Sequence, residues 1–363
     1  MRVFILTHFP SPYQVELFNA LGAEKDIELD AFYLHRKYHT RQWLGQALLH
    51  TAHFLDIDPA AITNAFRQVR SADVCVISYY AEQLAIQLLH ERSATGRPWI
   101  FWGERPGFHA HPLFGKLLRR WRLRALHQSP APIWGIGRWA VEQYQKEFGD
   151  ERHYADVPYY SDLRRFEVDG KRRSDKCVFL FSGTITKRKG VDLLAKAFAD
   201  LACSYSQIEL IVLGEGEYLP EMKNVLAGCA DRVQFLGFKD WDDLPQIYQS
   251  TDFLCAPSRY DGWAIVVPEG LAAGLPVIST NRTGAALEFI KTGKNGWLIP
   301  VDDAGALTKA MRQAASLSGT QRLQFSDNAR ATVANHQLSY GVGKIMTEFE
   351  YTLVHWPSQT TDR

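Results

Sequence analysis

The chain has 363 residues, of which 46% are hydrophobic and 22% are charged, and its formal net charge is +1. These values are ordinary for a soluble globular protein, and they exclude the strong basic excess that a nucleic-acid partner would favour. At about 100–200 residues per domain, this length predicts two domains.

The first half of the chain alternates short apolar runs with helical patterns, which is typical of βαβ units and a parallel sheet. The apolar runs predict strands at residues 2–7, 27–34, 74–78, 98–102, 132–136 and 154–157. The helical patterns fall between them, at about residues 13–22, 60–70, 81–92, 113–126 and 138–148. We therefore expect residues 1–168 to form one doubly wound, Rossmann-like domain.

The second half repeats this rhythm after a polar, glycine-containing stretch at residues 169–176, which is typical of a linker. Residues 177–339 are expected to form a second doubly wound domain. A last apolar-periodic helix, at about residues 340–358, is expected to pack back onto the first domain. Strands are predicted at 177–182, 208–213, 232–236, 252–256, 276–279 and 297–299, and helices at about 190–201, 217–227, 242–250, 267–273, 284–291 and 303–317.

Three features that the sequence lacks bear on the cellular location: a signal peptide, a membrane-spanning stretch and paired cysteines. The first apolar run, residues 1–9, is too short for a signal peptide and is broken by Pro10, so it is read as a buried strand. The chain has no stretch of about 18 apolar residues that could span a membrane. The five isolated cysteines form no Cys-x-x-Cys pair, which favours free thiols in a reducing compartment. We predict a cytoplasmic protein.

The most informative segment follows the apolar run at residues 253–256 and contains two carboxylates, Asp261 and Glu269, with seven residues between them. They flank a glycine-containing turn that opens a predicted helix, whose first N–H groups can hold a phosphate. Carboxylates nearby can accept hydrogen bonds from sugar or ribose hydroxyls. Phosphate donors and hydroxyl acceptors in one short stretch suggest a nucleotide-sugar site.

Three further strand ends of the second half carry residues suited to a diphosphate or a base. After the strand at 177–182 come Gly183, Thr184 and the cations Lys187, Arg188 and Lys189, which could neutralise a diphosphate. Lys187 and Arg188 are equally compatible with a solvated loop, whereas Lys189, followed by a glycine, favours the functional interpretation. The remaining two strand ends offer Gly214 and Gly216, and then Phe238, which could read a nucleobase or simply pack.

Taken together, these motifs resemble the retaining glycosyltransferases of family 4, which have the two-domain GT-B fold. The resemblance is strong over about residues 177–300, and looser over residues 1–170, where the segment 157–166 is similar to the family's approach to the linker. It implies an α/β architecture of two doubly wound domains facing a central cleft. It also implies that the second domain binds the nucleotide-sugar and the first binds the acceptor.

The resemblance assigns roles to the motif residues. Lys189 would contact the diphosphate, Glu269 would accept the ribose hydroxyls, and Asp261 would lie against the transferred sugar. The catalytic set would be Glu104, Asp261 and Lys189. The residues binding the sugar donor would be Gly183, Thr184, Arg188, Lys189, Gly214, Gly216, Phe238, Asp261, Gly262, Trp263, Ala264 and Glu269.

Three positions depart from the family pattern. Asp261 stands where the family usually has Glu, and Thr184 stands where an Arg is common. Gly262-Trp263-Ala264 replaces the usual Gly-Phe-Gly, and we expect Trp263 to narrow the pocket and change which sugar fits. The positive charge that the family's Arg would supply at the position of Thr184 could come from Lys187 or Arg188 instead, or the site could lack this charge.

The acceptor side is predicted in the first domain. Glu104 and Arg105 end an apolar strand, at or beside the place where the family often has a histidine, and His109 follows shortly after. This pair could serve the acceptor or form a structural ion pair. Pro12 and Tyr13 follow the first strand on the same edge and are assigned to the acceptor side with them.

A basic run at residues 114–124, with Leu117 and Trp121 on one helical face, could lie on an anionic bilayer. The alternative is a solvated helix that packs on the sheet. If the helix contacts the membrane, the acceptor would be a lipid-linked sugar rather than a free one.

No metal site and no cofactor are predicted. Asp56 and Asp58 fit an Asp-x-Asp motif but precede a proline, as in a loop that caps a helix. The pairs His50/His53 and His109/His111 lack a third ligand at a suitable spacing. The sequence predicts a metal-independent retaining glycosyltransferase of bacterial polysaccharide, lipopolysaccharide or glycolipid assembly. A nucleotide-sugar epimerase on the same fold and a non-enzymatic two-lobed sugar- or nucleotide-binding protein are the alternatives.

Overall fold

The protein is described by a computed structural model that covers residues 1–37, 47–106, 112–167 and 176–357. Most of the predicted linker, and His109 and His111, lie outside these described residues. The chain divides into two compact units: an N-terminal unit, Met1–Ser161 with Leu338–Arg363, and a C-terminal unit, Asp162–Gln337. Among the described residues, no helix is both long and apolar enough to cross a bilayer.

The N-terminal unit is built on a seven-stranded sheet in which every neighbouring pair of strands is parallel. The strand order is β3-β2-β1-β4-β5-β6-β7, so the order reverses between β1 and β4. Ligands of such sheets bind beside this reversal, at the carboxyl ends of the strands. The strands are β1 (Arg2–Thr7), β2 (Glu28–Tyr33), β3 (Thr51–Phe54), β4 (Val74–Ile77), β5 (Trp99–Gly103), β6 (Ile133–Gly135) and β7 (Tyr154–Asp156).

Helices connect these strands and bury their apolar faces against the sheet. They are α1 (Pro12–Gly22), α2 (Pro59–Ser71), α3 (Gln83–Ala94), α4 (Pro112–Arg122), α5 (Arg124–His127) and α6 (Arg138–Phe148). The last helix of the chain, α14 (Leu338–His355), returns to this unit, where Phe349 is buried 5.5 Å from the ring of Trp134. The prediction that the C-terminal helix packs on the first domain is confirmed.

The C-terminal unit has a six-stranded parallel sheet in the order β10-β9-β8-β11-β12-β13, with its reversal between β8 and β11. Its strands are β8 (Cys177–Ser182), β9 (Ile208–Leu213), β10 (Val233–Gly237), β11 (Phe253–Ala256), β12 (Val277–Thr280) and β13 (Gly296–Ile299). Its helices are α7 (Val191–Ala202), α8 (Leu219–Val225), α9 (Leu244–Gln249), α10 (Val266–Ala272), α11 (Gly284–Phe289), α12 (Ala304–Ala315) and α13 (Gly319–Val333).

Two elements were not predicted from the sequence. Strand β3 reads Thr-Ala-His-Phe and lacks an apolar run, because it is an edge strand whose residues are only partly buried. Helix α13 is polar along most of its length and contacts α10 through a few small buried residues such as Ala329. Its start at Ser318 is fixed by a capping box with Gln321.

Candidate functional site

The candidate site lies at the carboxyl edge of the C-terminal sheet, beside the reversal between β8 and β11. The loop after β8 runs through Gly183 to a short 3-10 helix, Lys187–Lys189, and then to Gly190. The loop after β11 runs from Pro257 to the start of α10. Because β8 and β11 are neighbours, these loops meet although they are about 70 residues apart in sequence.

Lys189 and Asp261 form the central contact of the site. The Lys189 ammonium donates to the Asp261 carboxylate, and both side chains are largely buried. Burial alone would raise the pKa of Asp261, but the Lys189 ammonium, together with Arg188 and the Trp263 backbone N–H, holds this pKa below its ordinary value. The lowered pKa thus favours a charged Asp261 carboxylate beside Lys189.

Arg259 fastens the two loops together, a role that sequence reasoning missed. Its guanidinium contacts both Asp192 carboxylate oxygens at 2.6 and 2.8 Å and the Asp302 carboxylate at 2.5 Å. It also donates to the carbonyl of Lys187. Since Arg259 belongs to the β11 loop and Lys187 to the β8 loop, this residue fixes the segment that carries Lys189.

Two glycines are required by close backbone approaches at the site. Gly190 has a positive φ of 73°, and a Cβ there would lie 2.0 Å from the Pro257 carbonyl oxygen. Gly214 has φ 126°, and a Cβ there would lie 2.0 Å from the Gly183 carbonyl oxygen. Only glycine fits these positions, so the loop after β8 packs against the loops after β9 and β11 through bare backbone.

Glu269 lies in α10 and is only 1% exposed. One carboxylate oxygen accepts from the Tyr248 hydroxyl at 3.2 Å, while the other, Oε1, is buried and has no hydrogen-bond partner among the described residues. Burial raises the pKa of Glu269 to about 8, against opposing effects of Tyr248 and Arg165. A buried oxygen without a partner is costly unless a ligand satisfies it.

The turn between the two carboxylates differs from expectation at Trp263. Its indole is 1% exposed and packs in the unit's interior, 5.8 Å from both Phe289 and His336. The expectation that Trp263 narrows an open sugar pocket is therefore wrong for its side chain, because the ring points into the core. Ala264, in contrast, has φ 67°, a left-handed conformation that is strained for any residue with a Cβ.

The other predicted donor-binding residues line the same edge. Gly216 closely approaches the Ile185 backbone, and the Gly214 N–H donates to Gly237, immediately before the half-buried Phe238. The Arg188 guanidinium donates to the Tyr260 carbonyl at 2.9 Å. Among the remaining members of the set, the loop residues Thr184 and Gly262 lie beside Gly183 and Asp261.

Two further residues reach Glu269 and were not found from the sequence. Tyr248, at the end of α9, donates the only described hydrogen bond to its carboxylate. Arg165, in the 3-10 helix Leu163–Phe166, lies 5.3 Å from the Trp241 ring and acts electrostatically on Glu269. An arginine in a segment interpreted as the approach to a linker carried no signal for this role.

The predicted acceptor-side residues come together at the carboxyl edge of the N-terminal sheet. The Glu104 carbonyl accepts from the Tyr144 hydroxyl at 2.6 Å, and its carboxylate contacts the Tyr159 hydroxyl. The ring of Tyr13 lies 4.7 Å from that of Tyr159 and follows Pro12, the first residue of α1.

The guanidinium of Arg105 stacks 3.7 Å above the Trp139 ring. The third acceptor-side assignment after this strand, His109, falls outside the described residues.

The rejected metal motifs have structural roles. Asp58 caps α2 by accepting from the Ala60 N–H at 2.9 Å. His50 is bonded to Asn19 and Tyr33 at 2.7 and 2.9 Å, and His53 to an aspartate of β2.

Helix α4 carries an exposed apolar face. Leu117 is 66% exposed, Leu118 45% and Trp121 55%. Arg119 on the same helix turns inward to the Glu147 carboxylate at 2.6 Å, which anchors the helix to α6. The packed and the solvated sides of this basic helix are thus distinct.

Comparison with known proteins gives this architecture a family context. Residues 164–332 match the family model described as glycosyl transferases group 1. A 132-residue stretch is 34% identical to an uncharacterized glycosyltransferase of Methanocaldococcus jannaschii, covering 35% of this chain and 33% of that protein. A 247-residue stretch is 26% identical to a GDP-mannose-dependent alpha-(1-6)-phosphatidylinositol monomannoside mannosyltransferase of Mycolicibacterium smegmatis. This match covers 61% of this chain and 64% of that protein. The chain thus spans between a third and two thirds of the length of these relatives.

The whole chain resembles solved glycosyltransferase-like structures in fold. HepE of Anabaena in complex with UDP superimposes with a TM-score of 0.78 at 15% identity, covering 97% of this chain and 100% of HepE. Other structures of HepE hold UDP and glucose, or UDP-glucose. The predicted α/β fold with two Rossmann-like domains of the GT-B type is confirmed, and so is the resemblance to glycosyltransferases, at the level of group 1.

Proposed function

We propose that this chain, whose residues 164–332 match the family model of the group 1 glycosyltransferases, transfers a sugar from a nucleoside-diphosphate sugar to an acceptor hydroxyl with retention at the anomeric carbon. One observation carries the proposal most. At the reversal of the C-terminal sheet, a charged Lys189–Asp261 pair lies eight residues from a buried Glu269 whose Oε1 has no described partner. The Lys189 ammonium suits a diphosphate, the Asp261 carboxylate suits sugar hydroxyls, and the unsatisfied oxygen of Glu269 suits a ribose.

In this proposal each of the three side chains contacts a different part of the sugar donor. Lys189 contacts the diphosphate and stabilises the charge that develops on it as the bond to the sugar breaks. Asp261 accepts a hydrogen bond from the transferred sugar, and the unpartnered oxygen of Glu269 accepts from the ribose. Arg259 acts indirectly, because it holds the loop that carries Lys189.

We propose that transfer proceeds on one face of the sugar, without a covalent intermediate and without a metal at the diphosphate. The carboxylate of Asp261 is engaged by Lys189, so it is poorly placed as a nucleophile. The leaving phosphate oxygen can take the proton of the acceptor hydroxyl while the sugar passes through an oxocarbenium-like state. The cationic charge that a metal would supply to the diphosphate comes from Lys189, with Arg188 beside it.

The similar proteins support two candidates for the base of the sugar donor. HepE holds UDP and UDP-glucose, and the mycobacterial relative is GDP-mannose-dependent. We propose a UDP- or GDP-sugar, with Phe238 beside the base. Assignment to family 4 rests on the motifs of the sequence.

The acceptor is proposed to bind the N-terminal unit, where Glu104 contacts Tyr159, whose ring lies 4.7 Å from that of Tyr13. We propose a sugar or lipid-linked sugar of bacterial polysaccharide, lipopolysaccharide or glycolipid assembly, as for the phosphatidylinositol-directed relative. The exposed Leu117, Leu118 and Trp121 would give α4 a peripheral contact with the inner face of the cytoplasmic membrane.

The first test is binding of the sugar donor. The full chain is titrated calorimetrically with UDP, GDP, ADP and their sugars in excess chelator, and we expect saturable binding of a UDP or GDP compound. A Glu269→Ala variant is expected to lose most of this affinity, whereas Glu217→Gln, an exposed carboxylate near the same loops, should retain it. Unchanged binding by Glu269→Ala would refute the ribose assignment.

The second test is the reaction itself. With the bound nucleotide-sugar and a panel of glycolipid and oligosaccharide acceptors, nuclear magnetic resonance of the product should show the anomeric configuration of the sugar donor. An epimerised sugar formed without any acceptor would instead support an epimerase. Saturable binding with neither transfer nor slow hydrolysis of the sugar donor would support a binding protein.

A further inference from the structure

A second cluster of polar side chains lies at the carboxyl edge of the N-terminal sheet, beside the reversal between β1 and β4. His8 follows β1, His35 follows β2 and Glu82 precedes α3 in the connection after β4. Because these three strands are adjacent, their ends bring together residues that are 27 and 47 positions apart. None of the three is needed for the sugar-donor site of the C-terminal unit.

The three side chains converge on one point. The Nε2 atom of His35 lies 2.9 Å from the Glu82 Oε1 atom, and the Nε2 atom of His8 lies 3.3 Å from the same oxygen. One ligand atom from each residue lies within 4.8 Å of the other two. Ligand atoms around a tetrahedral zinc ion with bonds of about 2.0–2.1 Å are separated by about 3.4 Å, so this cluster needs only small side-chain movements to close around an ion.

We propose that His8, His35 and Glu82 bind a divalent transition metal ion, with Zn²⁺ as the best match. Two imidazole nitrogens and one carboxylate are a typical ligand set for zinc with an open position, and imidazole favours such ions over Mg²⁺ or Ca²⁺. The inference does not depend on the proposed transfer reaction, because all three ligands belong to the N-terminal unit.

The surroundings of the two histidines are compatible with metal binding. The Nδ1 atom of His35 lies 3.8 Å from the Asp56 carboxylate, on the side of the ring away from Glu82, which is too long for a hydrogen bond but becomes one after a small rotation of the ring. A carboxylate behind a metal-binding imidazole orients the ring and strengthens its basicity. The His8 ring is stacked on Tyr79 with centroids 4.2 Å apart and planes 6° from parallel.

The remaining coordination position is accessible to solvent. The side chains of His35 and Glu82 are 36% and 37% exposed, so an ion held by them can exchange with solution and retain a water molecule. Three protein ligands plus a water are the arrangement of zinc sites that accept an oxygen from a bound molecule. We therefore expect the ion in this site to bind small anions such as phosphate in place of that water.

The experiment measures metal binding by the full chain. Protein stripped with chelator and dialysed is titrated with ZnCl₂ by calorimetry, and with CoCl₂ while the visible absorption of Co²⁺ is followed. We expect one tight equivalent per chain for each ion, with the intense d–d bands of a four-coordinate Co²⁺ site, and no comparable binding of MgCl₂. His35→Gln and Glu82→Gln each remove a ligand with little change of shape and should weaken Zn²⁺ binding at least about 100-fold, and Asp56→Asn about 10–100-fold.

The matched control is Asp30→Asn. Asp30 forms a histidine–carboxylate pair with His53 at 2.8 Å in the same sheet, but belongs to no described three-residue cluster, so its loss should leave Zn²⁺ affinity unchanged. Circular dichroism verifies that each variant is folded. The proposal is overturned if the wild-type chain binds no stoichiometric Zn²⁺. It is equally overturned if folded His35→Gln and Glu82→Gln both bind it as the wild type does.

Discussion

The buried carboxyl of Glu269 makes the stability of the C-terminal unit depend on pH in an unusual direction. Burial raises its pKa from 4.5 to about 8, so in the folded chain it holds its proton up to that pH. In the unfolded chain the same carboxyl releases its proton above about pH 4.5. The unfolded state thus binds fewer protons between these values, and the free energy of unfolding falls as the pH rises from about 4.5 to about 8.

The size of the effect follows from the two pKa values. Each pH unit above the ordinary pKa stabilises the unfolded chain by about 1.4 kcal/mol, which amounts to about 2.5 kcal/mol between about pH 5 and about pH 7. A Glu269→Gln variant keeps a neutral side chain of the same shape that can still accept from Tyr248. The free energy of unfolding of the variant should therefore not fall with pH through this group. The difference in unfolding free energy between the variant and the wild type should grow by about 2.5 kcal/mol from about pH 5 to about pH 7.

The assay is urea denaturation of the full chain at several pH values, followed by circular dichroism and tryptophan fluorescence. The transition that responds to Glu269→Gln is assigned to the C-terminal unit. A Glu217→Gln control, at an exposed loop position, should run parallel to the wild type at every pH. A constant difference between wild type and Glu269→Gln from pH 5 to pH 7 would refute the reasoning, because the carboxyl would then titrate as it does in water.

Three further substitutions test the backbone and charge arguments. Ala264→Gly removes the strain of a left-handed residue, which costs about 1–2 kcal/mol, but glycine adds about 0.5–1 kcal/mol of conformational entropy to the unfolded chain. Urea denaturation should therefore show a small gain in stability, and a loss would contradict the strain. Gly190→Ala places a Cβ against the Pro257 carbonyl and should lower the free energy of unfolding by about 2–4 kcal/mol, and an unchanged midpoint would contradict this close approach. Lys189→Met removes the cation beside Asp261 and should weaken UDP or GDP binding about 100-fold in calorimetry, whereas wild-type affinity would exclude a diphosphate contact.

Much of the candidate site in the C-terminal unit could be predicted because parallel sheets impose their own geometry. Alternating apolar runs and helices place the loop of Lys189 and the turn of Asp261 at one edge, whatever the details of packing. The family motifs then single out these residues among many polar ones. The contact between Lys189 and Asp261 depends on β8 and β11 being neighbours, which the periodicity of the sequence does not encode.

The directions in which individual side chains point could not be predicted from the sequence, because they depend on tertiary packing. Trp263 follows a glycine in a turn, and nothing local distinguishes a ring that lines a pocket from one that enters the core. In the structure it faces Phe289 and His336, because burying a large aromatic ring stabilises the unit more than exposing it. Tyr248 was missed for the same reason, since its partner Glu269 lies on another helix.

The sequence by itself determined the fold class, most elements of the two domains apart from β3 and α13, and the strand ends of the C-terminal unit that carry the candidate site. These follow from local periodicity, glycine punctuation and the rule that parallel strands end at one edge. Only the tertiary structure decided which strand ends are adjacent. The cluster of His8, His35 and Glu82 exists because β1 lies between β2 and β4. That order results from long-range packing of whole strands, so no spacing within the sequence could reveal it.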